Sequence, residues 1–204
     1  MRILALGAHP DDIEFGCGGT LIKLSRRKAE IYFLALTEGE AGHDAPAIRK
    51  KEQERAAGYL KAKVFWGGYK DTEVPSGKDL ITRIEEVINK VKPDIIFCNY
   101  FDDIHQDHRA LAEACSSATR YAKRVVFYEV PTTCNFEPDV FVDITPVMDR
   151  KLALLKLHAS QVNKTRVPKL SILESVSSCA TFRGYQARVK YAEGFKPLRY
   201  LMGL

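Results

Sequence analysis

With 204 residues, 46% of them apolar, the chain is suited to one domain, residues 1–204, with a substantial core. The net charge of +5 comes from basic residues mixed with acids, as in Arg49-Lys50-Lys51-Glu52-Gln53-Glu54-Arg55, and no basic stripe alternates with aromatics, which argues against a nucleic-acid partner. No run approaches the roughly 18 apolar residues of a membrane span, no secretory signal is expected, and five scattered cysteines without a C-x-x-C pair point to reduced thiols in a cytoplasmic protein.

In chain order, Ile3 to Leu6 reads as a strand. It runs into Gly7-Ala8-His9-Pro10-Asp11-Asp12-Ile13-Glu14-Phe15-Gly16-Cys17-Gly18-Gly19-Thr20, expected as a loop before a helix carrying Leu21, Ile22 and Leu24. Ile31 to Leu36 is a second strand, and a loop to Pro46 precedes a helix from about Ala47 to Leu60. Val64-Phe65-Trp66 is a short strand. Leu80, Ile84, Val87, Ile88 and Val91 recur at helical spacing up to Lys92-Pro93. The strand Ile95 to Cys98 leads to His105-Gln106-Asp107-His108 and a helix that begins near Asp107. Val125 to Tyr128 and Val140 to Val142 are further strands. Thr145-Pro146 predicts a helix start, running to about Ala159. A short helix near Lys169 to Glu174 and a terminal strand complete the chain. This alternation predicts an α/β fold: a Rossmann-like, doubly wound, mostly parallel sheet with helices on both faces. Strand order is not legible.

Ligands in such sheets bind beyond the carboxyl ends of the strands, where both polar clusters fall. His9 and Asp12, three residues apart on a turn stiffened by Pro10, can aim at one point. Imidazole and carboxylate are ordinary zinc ligands, and catalytic zinc takes three protein ligands plus an open position. His108 is the candidate third. Asp11 is then free to act as general base, His105 to protonate a leaving amine, and Asp107 to orient an imidazole.

His9-Pro10-Asp11-Asp12 with the downstream Gly-x-Gly-Gly-Thr, and His105-x-Asp107-His108, resemble the PIG-L/LmbE-like family of metal-dependent N-deacetylases. Arg49-x-x-Glu52, Asp71, His158-Ala159-Ser160-Gln161 and Tyr191-Ala192-Glu193-Gly194-Phe195 extend the likeness over nearly the whole chain. The resemblance implies a Rossmann-like fold and a hydrolase that removes the acetyl group from an N-acetylglucosamine-type conjugate. It implies a Zn2+ cofactor, with Fe2+ or another divalent metal as the variant. It makes His9, Asp12 and His108 the metal ligands, Asp11 the base, His105 the acid or oxyanion partner and Asp107 its support. It also implies that Arg49 and Asp71 touch the sugar, and it suggests a homo-oligomer. Ile13-Glu14 after Asp-Asp is similar to the bacillithiol-type branch, which acts on N-acetylglucosaminyl malate.

Other readings of the same residues exist. Gly16-x-Gly18-Gly19 could cradle a phosphate, with Glu38 as a ribose-binding acid, in a nucleotide-binding module without chemistry. Two histidines and a carboxylate also form the site of non-haem iron oxygenases. A metal-dependent amidase acting on another N-acyl compound is closer to the family. His43 and His158 read as structural, Cys17 as packing, and Asp102 and Asp103 as solvated loop residues.

Overall fold

The computed structural model describes residues 1–42 and 47–202. His43 lies outside the described residues. Seven strands form one sheet: β1 (Arg2–Gly7), β2 (Glu30–Ala35), β3 (Lys63–Trp66), β4 (Ile95–Asn99), β5 (Arg124–Tyr128), β6 (Val140–Asp143) and β7 (Ala192–Tyr200). The order is β3-β2-β1-β4-β5-β7-β6. The first five strands are parallel, and β7 runs antiparallel to both β5 and β6. The expected mostly parallel, doubly wound sheet is therefore present.

Alternation along β1 divides the core. Ile3 and Ala5 face one cluster, and Leu4 and Leu6 face another, all fully buried. The first cluster packs under α1 (Asp12–Arg26), α2 (Ala47–Leu60), α5 (Met148–Leu155) and α6 (Ile172–Ala187). The second packs under α3 (Lys78–Val91) and α4 (Gln106–Ala118).

Three expectations need correction. Helix α1 starts at Asp12 rather than after Thr20, so Gly16, Gly18 and Gly19 are helical. They serve packing: a Cβ on Gly16 would meet the Tyr128 ring at 2.0 Å, and one on Gly19 would meet Ile144 Cγ2 at 2.8 Å. The helix after Pro146 stops at Leu155, short of Ala159. Beyond it the chain is claimed by tertiary contacts: His158 is buried against Glu14, and Ser160 binds both oxygens of Glu52. Finally, Ser171-x-x-Glu174 opens a helix of 16 residues instead of closing a short one. Ser171 and Glu174 form a reciprocal capping box, an N-terminal signature.

Candidate metal centre at the ends of β1 and β4

Strands β1 and β4 are parallel neighbours, so the segments leaving their carboxyl ends open side by side. Tyr128 ties these strands together, its hydroxyl donating to Leu6 O at 2.6 Å and to Asn99 Oδ1 at 3.1 Å. After β1 the chain turns sharply. Asp11, the N-cap of α1, has φ +94°, a conformation that costs a non-glycine residue about 1–3 kcal/mol. The His9 N–H donates to Asp12 Oδ2 at 3.0 Å and closes the turn. After β4, residues 100–105 lead to His105, the N-cap of α4, whose Nδ1 accepts the Asp107 N–H at 3.2 Å. In that tautomer Nε2 carries the proton, leaving His105 a donor.

His9, Asp12 and His108 meet. His9 Nδ1 is 3.1 Å from His108 Nε2, His108 Nε2 is 3.3 Å from Asp12 Oδ2, and His9 Nδ1 is 3.7 Å from that same oxygen. Donors about 2.0–2.2 Å from a tetrahedral ion stand roughly 3.3–3.6 Å apart, and the three atoms, at 3.1, 3.3 and 3.7 Å, come within a few tenths of an ångström of that spacing. His105 is close as well: His9, His105 and His108 each bring a ring nitrogen within 4.8 Å of the others. This His/Asp cluster could hold a metal.

The other ring nitrogens are also engaged. His9 Nε2 lies 3.0 Å from Asp71 Oδ1 and 3.1 Å from Asp107 Oδ2. His108 Nδ1 lies 3.1 Å from Asp103 Oδ2. Burial disfavours charge on His9, but Asp107, Asp12 and Asp71 outweigh it and hold the imidazole well above its ordinary value. His108 is likewise opposed by burial and carried up to about 9 by Asp12 and Asp103. The carboxyls of Asp12, Asp71, Asp103 and Asp107 are all drawn below their usual range, against the effect of burial, chiefly by these imidazoles. The carboxylates thus favour positive charge in the pocket, which protons on the imidazoles or a divalent cation could supply. His105 runs the other way: burial and then the charges on His9 and His108 lower it, which favours the neutral ring.

Asp11 stands apart from this cluster. Its carboxylate lies 3.4 Å from Arg49 Nη2, and its N–H donates to Gln53 Oε1 at 3.3 Å. Burial raises its pKa, with Arg49 and then His158 pulling it back. Gln53 in turn donates to Glu14 Oε1 at 2.6 Å, and Glu14 Oε2 lies 3.4 Å from His158 Nε2. This buried chain behind Asp11 is invisible to sequence reasoning, because its members come from three helix-related segments with no shared spacing.

Four residues have partners within the fold beyond their expected roles. The Asp107 carboxylate holds His9 and accepts the Thr72 and Val74 N–H groups, with a His105 ring nitrogen within 4.8 Å. Asp71 has Oδ1 on His9 and Oδ2 accepting the Ala41 N–H, so both oxygens are in use. Arg49 is a buried strut, donating to Gly39 O and Pro10 O. Asp103, taken as a solvated loop acid, has a fully buried side chain. Its one sequence signal is its place two residues ahead of His105. The phosphate-cradle reading also fails: the Gly19 and Thr20 N–H groups donate to Glu193, and Glu38 is paired with Lys50. Cys17 packs in the core, its thiol on Ile13 O.

Residues 4–119 match the family model described as PIG-L, GlcNAc-PI de-N-acetylase. The chain belongs to the PIG-L family. Among its relatives, the "uncharacterized deacetylase YaiS" of Escherichia coli is 34% identical over 78% of this chain and 90% of its own length. A probable N-acetyl-alpha-D-glucosaminyl L-malate deacetylase 2 of Bacillus anthracis is 30% identical over 83% of this chain and 84% of its own. The solved N,N'-diacetylchitobiose deacetylase of Pyrococcus horikoshii superposes with a TM-score of 0.85 at 26% identity, over 97% of this chain and 83% of that one. The likeness also reaches a 4-oxalmesaconate hydratase of Pseudomonas putida, 24% identical over 95% of this chain and 87% of its own length. The PIG-L fold thus accommodates more than one reaction.

Proposed function

We propose that this chain is a metal-dependent hydrolase that removes the N-acetyl group from an N-acetylglucosamine-type sugar conjugate, with zinc as the first choice of ion and ferrous iron as the variant. The observation that carries this reading is the convergence of His9 Nδ1, Asp12 Oδ2 and His108 Nε2, with the carboxylate of Asp11 on the adjoining residue. Deacetylase relatives that cover most of the chain support the reaction class. We read residues 1–204 as a single cytoplasmic domain, with a homo-oligomer as the expected assembly. Among the described residues, no helix is long and apolar enough to cross a membrane.

His9, Asp12 and His108 would hold the ion. Such an ion supplies Lewis acidity, lowering the pKa of water and polarising the amide carbonyl. Asp11 takes the proton from the attacking water, a role suited to a carboxyl whose pKa burial has raised. The Nε2–H of His105 donates to the carbonyl oxygen as negative charge grows there. Formation of the new C–O bond moves the carbonyl π electrons onto oxygen; as that tetrahedral oxyanion collapses the C–N bond breaks, and the proton on Asp11 passes to the departing amine. Acetate and a free amine leave in equal amounts. Arg49 and Asp71 act from behind: Arg49 steadies Asp11 and the loop at Gly39, and Asp71 holds His9. The segments 67–77 and 129–138 form walls of the crevice, together with the described part of 38–46.

The deciding assay is amine and acetate release from a panel of N-acetylglucosamine glycosides, including malate, inositol and chitobiose forms, with chelator and with zinc restored. Equal, chelator-sensitive release supports the reading, and the rate ranking identifies the aglycone. Ion binding without release from any sugar amide overturns the substrate class. Hydration of an unsaturated acid, with no amine formed, would place the chain with its hydratase relative.

A further inference from the structure

His108 faces the convergence point through Nε2, so the state of its other nitrogen decides whether Nε2 offers a lone pair. Nδ1 lies 3.1 Å from Asp103 Oδ2 and 3.3 Å from Thr132 Oγ1. The Asp103 side chain is fully buried and held from several sides. Its Oδ1 accepts the His105 N–H at 2.8 Å, and its Oδ2 accepts the Thr133 hydroxyl at 3.0 Å. Residues 103 and 133 also form a β-bridge. The carboxylate cannot swing away without breaking these bonds.

We propose that Asp103 is the positioning residue for His108: it accepts the Nδ1–H, fixes the tautomer that leaves Nε2 free for the ion, and sets the ring plane. The opposite tautomer would place a ring lone pair against a carboxylate lone pair at 3.1 Å and aim an N–H at the ion. Carboxylates behind metal-binding histidines commonly have this function. Through Thr133 the same side chain fastens the segment after β5 to the segment after β4, so one wall of the crevice and one ligand share an anchor. This inference rests on the assignment of His108 as a ligand.

The test is zinc affinity, measured by competition with a chromophoric chelator, together with thermal unfolding of the metal-free protein. Asp103→Asn is expected to lower the metal-free unfolding temperature, since a buried hydrogen-bonded carboxylate is lost, and to weaken zinc binding about 10–100-fold beyond any loss seen in Thr133→Val. Thr133→Val removes the hydroxyl's bond to Asp103 but leaves the backbone bridge and the carboxylate, and is expected to bind zinc as wild type does. Equal losses in the two variants would assign the effect to the loop tie and overturn the proposal, as would unchanged affinity in Asp103→Asn. If Asp103→Asn does not fold, ring nitrogen NMR of the zinc-loaded wild type decides: a protonated Nδ1 on His108 supports the proposal and a protonated Nε2 overturns it. Wild-type protein that binds no divalent ion would sink the metal reading itself, a result distinct from the others.

Discussion

Lys151 Nζ donates to the carbonyl oxygen of Phe15, 2.6 Å away inside α1. Four residues on, the Gly19 N–H donates to Glu193 Oε1 at 2.7 Å. Lys151 and Glu193 are themselves paired, both almost wholly buried. A buried ion pair from α5 and β7 is therefore hydrogen-bonded to the backbone of the helix that begins at the candidate site.

Removing one partner of such a pair strands the other charge in the core. Lys151→Met should cost about 3–5 kcal/mol in denaturant unfolding. Lys151→Met with Glu193→Gln should cost less than the sum of the two single changes. Strict additivity would show that the pair does not act as a unit.

His158 supplies a pH test. Its imidazole is buried, which lowers its pKa, but Glu14 and then Asp11 and Glu52 outweigh burial and raise it above 6.5. The folded state thus binds the proton more tightly than the unfolded state. The stabilisation is fully present below about pH 6.5 and fades as pH rises through the raised folded value. The stability gap between wild type and His158→Gln should narrow as pH rises above about 6.5, read from urea midpoints with the metal site saturated. A gap that widens over that range would contradict this charge assignment.

Gly16 tests the close approach of α1 to β5. A Cβ there meets a Tyr128 ring held at its hydroxyl by Leu6 and Asn99. Gly16→Ala should destabilise by about 3 kcal/mol, the upper end for overpacking. Gly58→Ala, in the last turn of α2 with open space around its Cβ, should instead stabilise, by at most roughly 0.5–1 kcal/mol. Chemical denaturation of both variants checks the contrast.

Asp11→Asn separates chemistry from binding. Asparagine tolerates the left-handed backbone at φ +94° and keeps the cap position. Turnover should fall about 10²–10⁴-fold with metal content unchanged. His108→Ala should show the converse, loss of metal at limiting zinc. Full activity in Asp11→Asn would remove it as the base.

Much of this was legible in the sequence. Buried parallel strands read as continuous apolar runs, so Ile3–Leu6, Ile31–Leu36 and Ile95–Cys98 stood out, and the alternation with α2 and α3 implied a doubly wound sheet. His9, Asp12 and His108 were legible because two short motifs each end a strand of that sheet. The start of α1 was not, because Gly16, Gly18 and Gly19 are loop formers by propensity and are helical here only to admit Tyr128, Leu154 and Ile144. The end of α5 and the length of α6 were likewise decided by long-range contacts.

The chain order of residue types therefore determined the layer pattern and which side chains could carry the chemistry. Only the tertiary structure decided how those side chains are held: Asp107 on His9, Asp71 and Arg49 turned inward, Asp103 against His108, and Gln53 and Glu14 behind Asp11. The physical reason is range. Periodicity reports which face of an element is apolar, a local property, whereas hydrogen bonds between loops about 30 to 100 residues apart depend on strand order, and no local pattern encodes it.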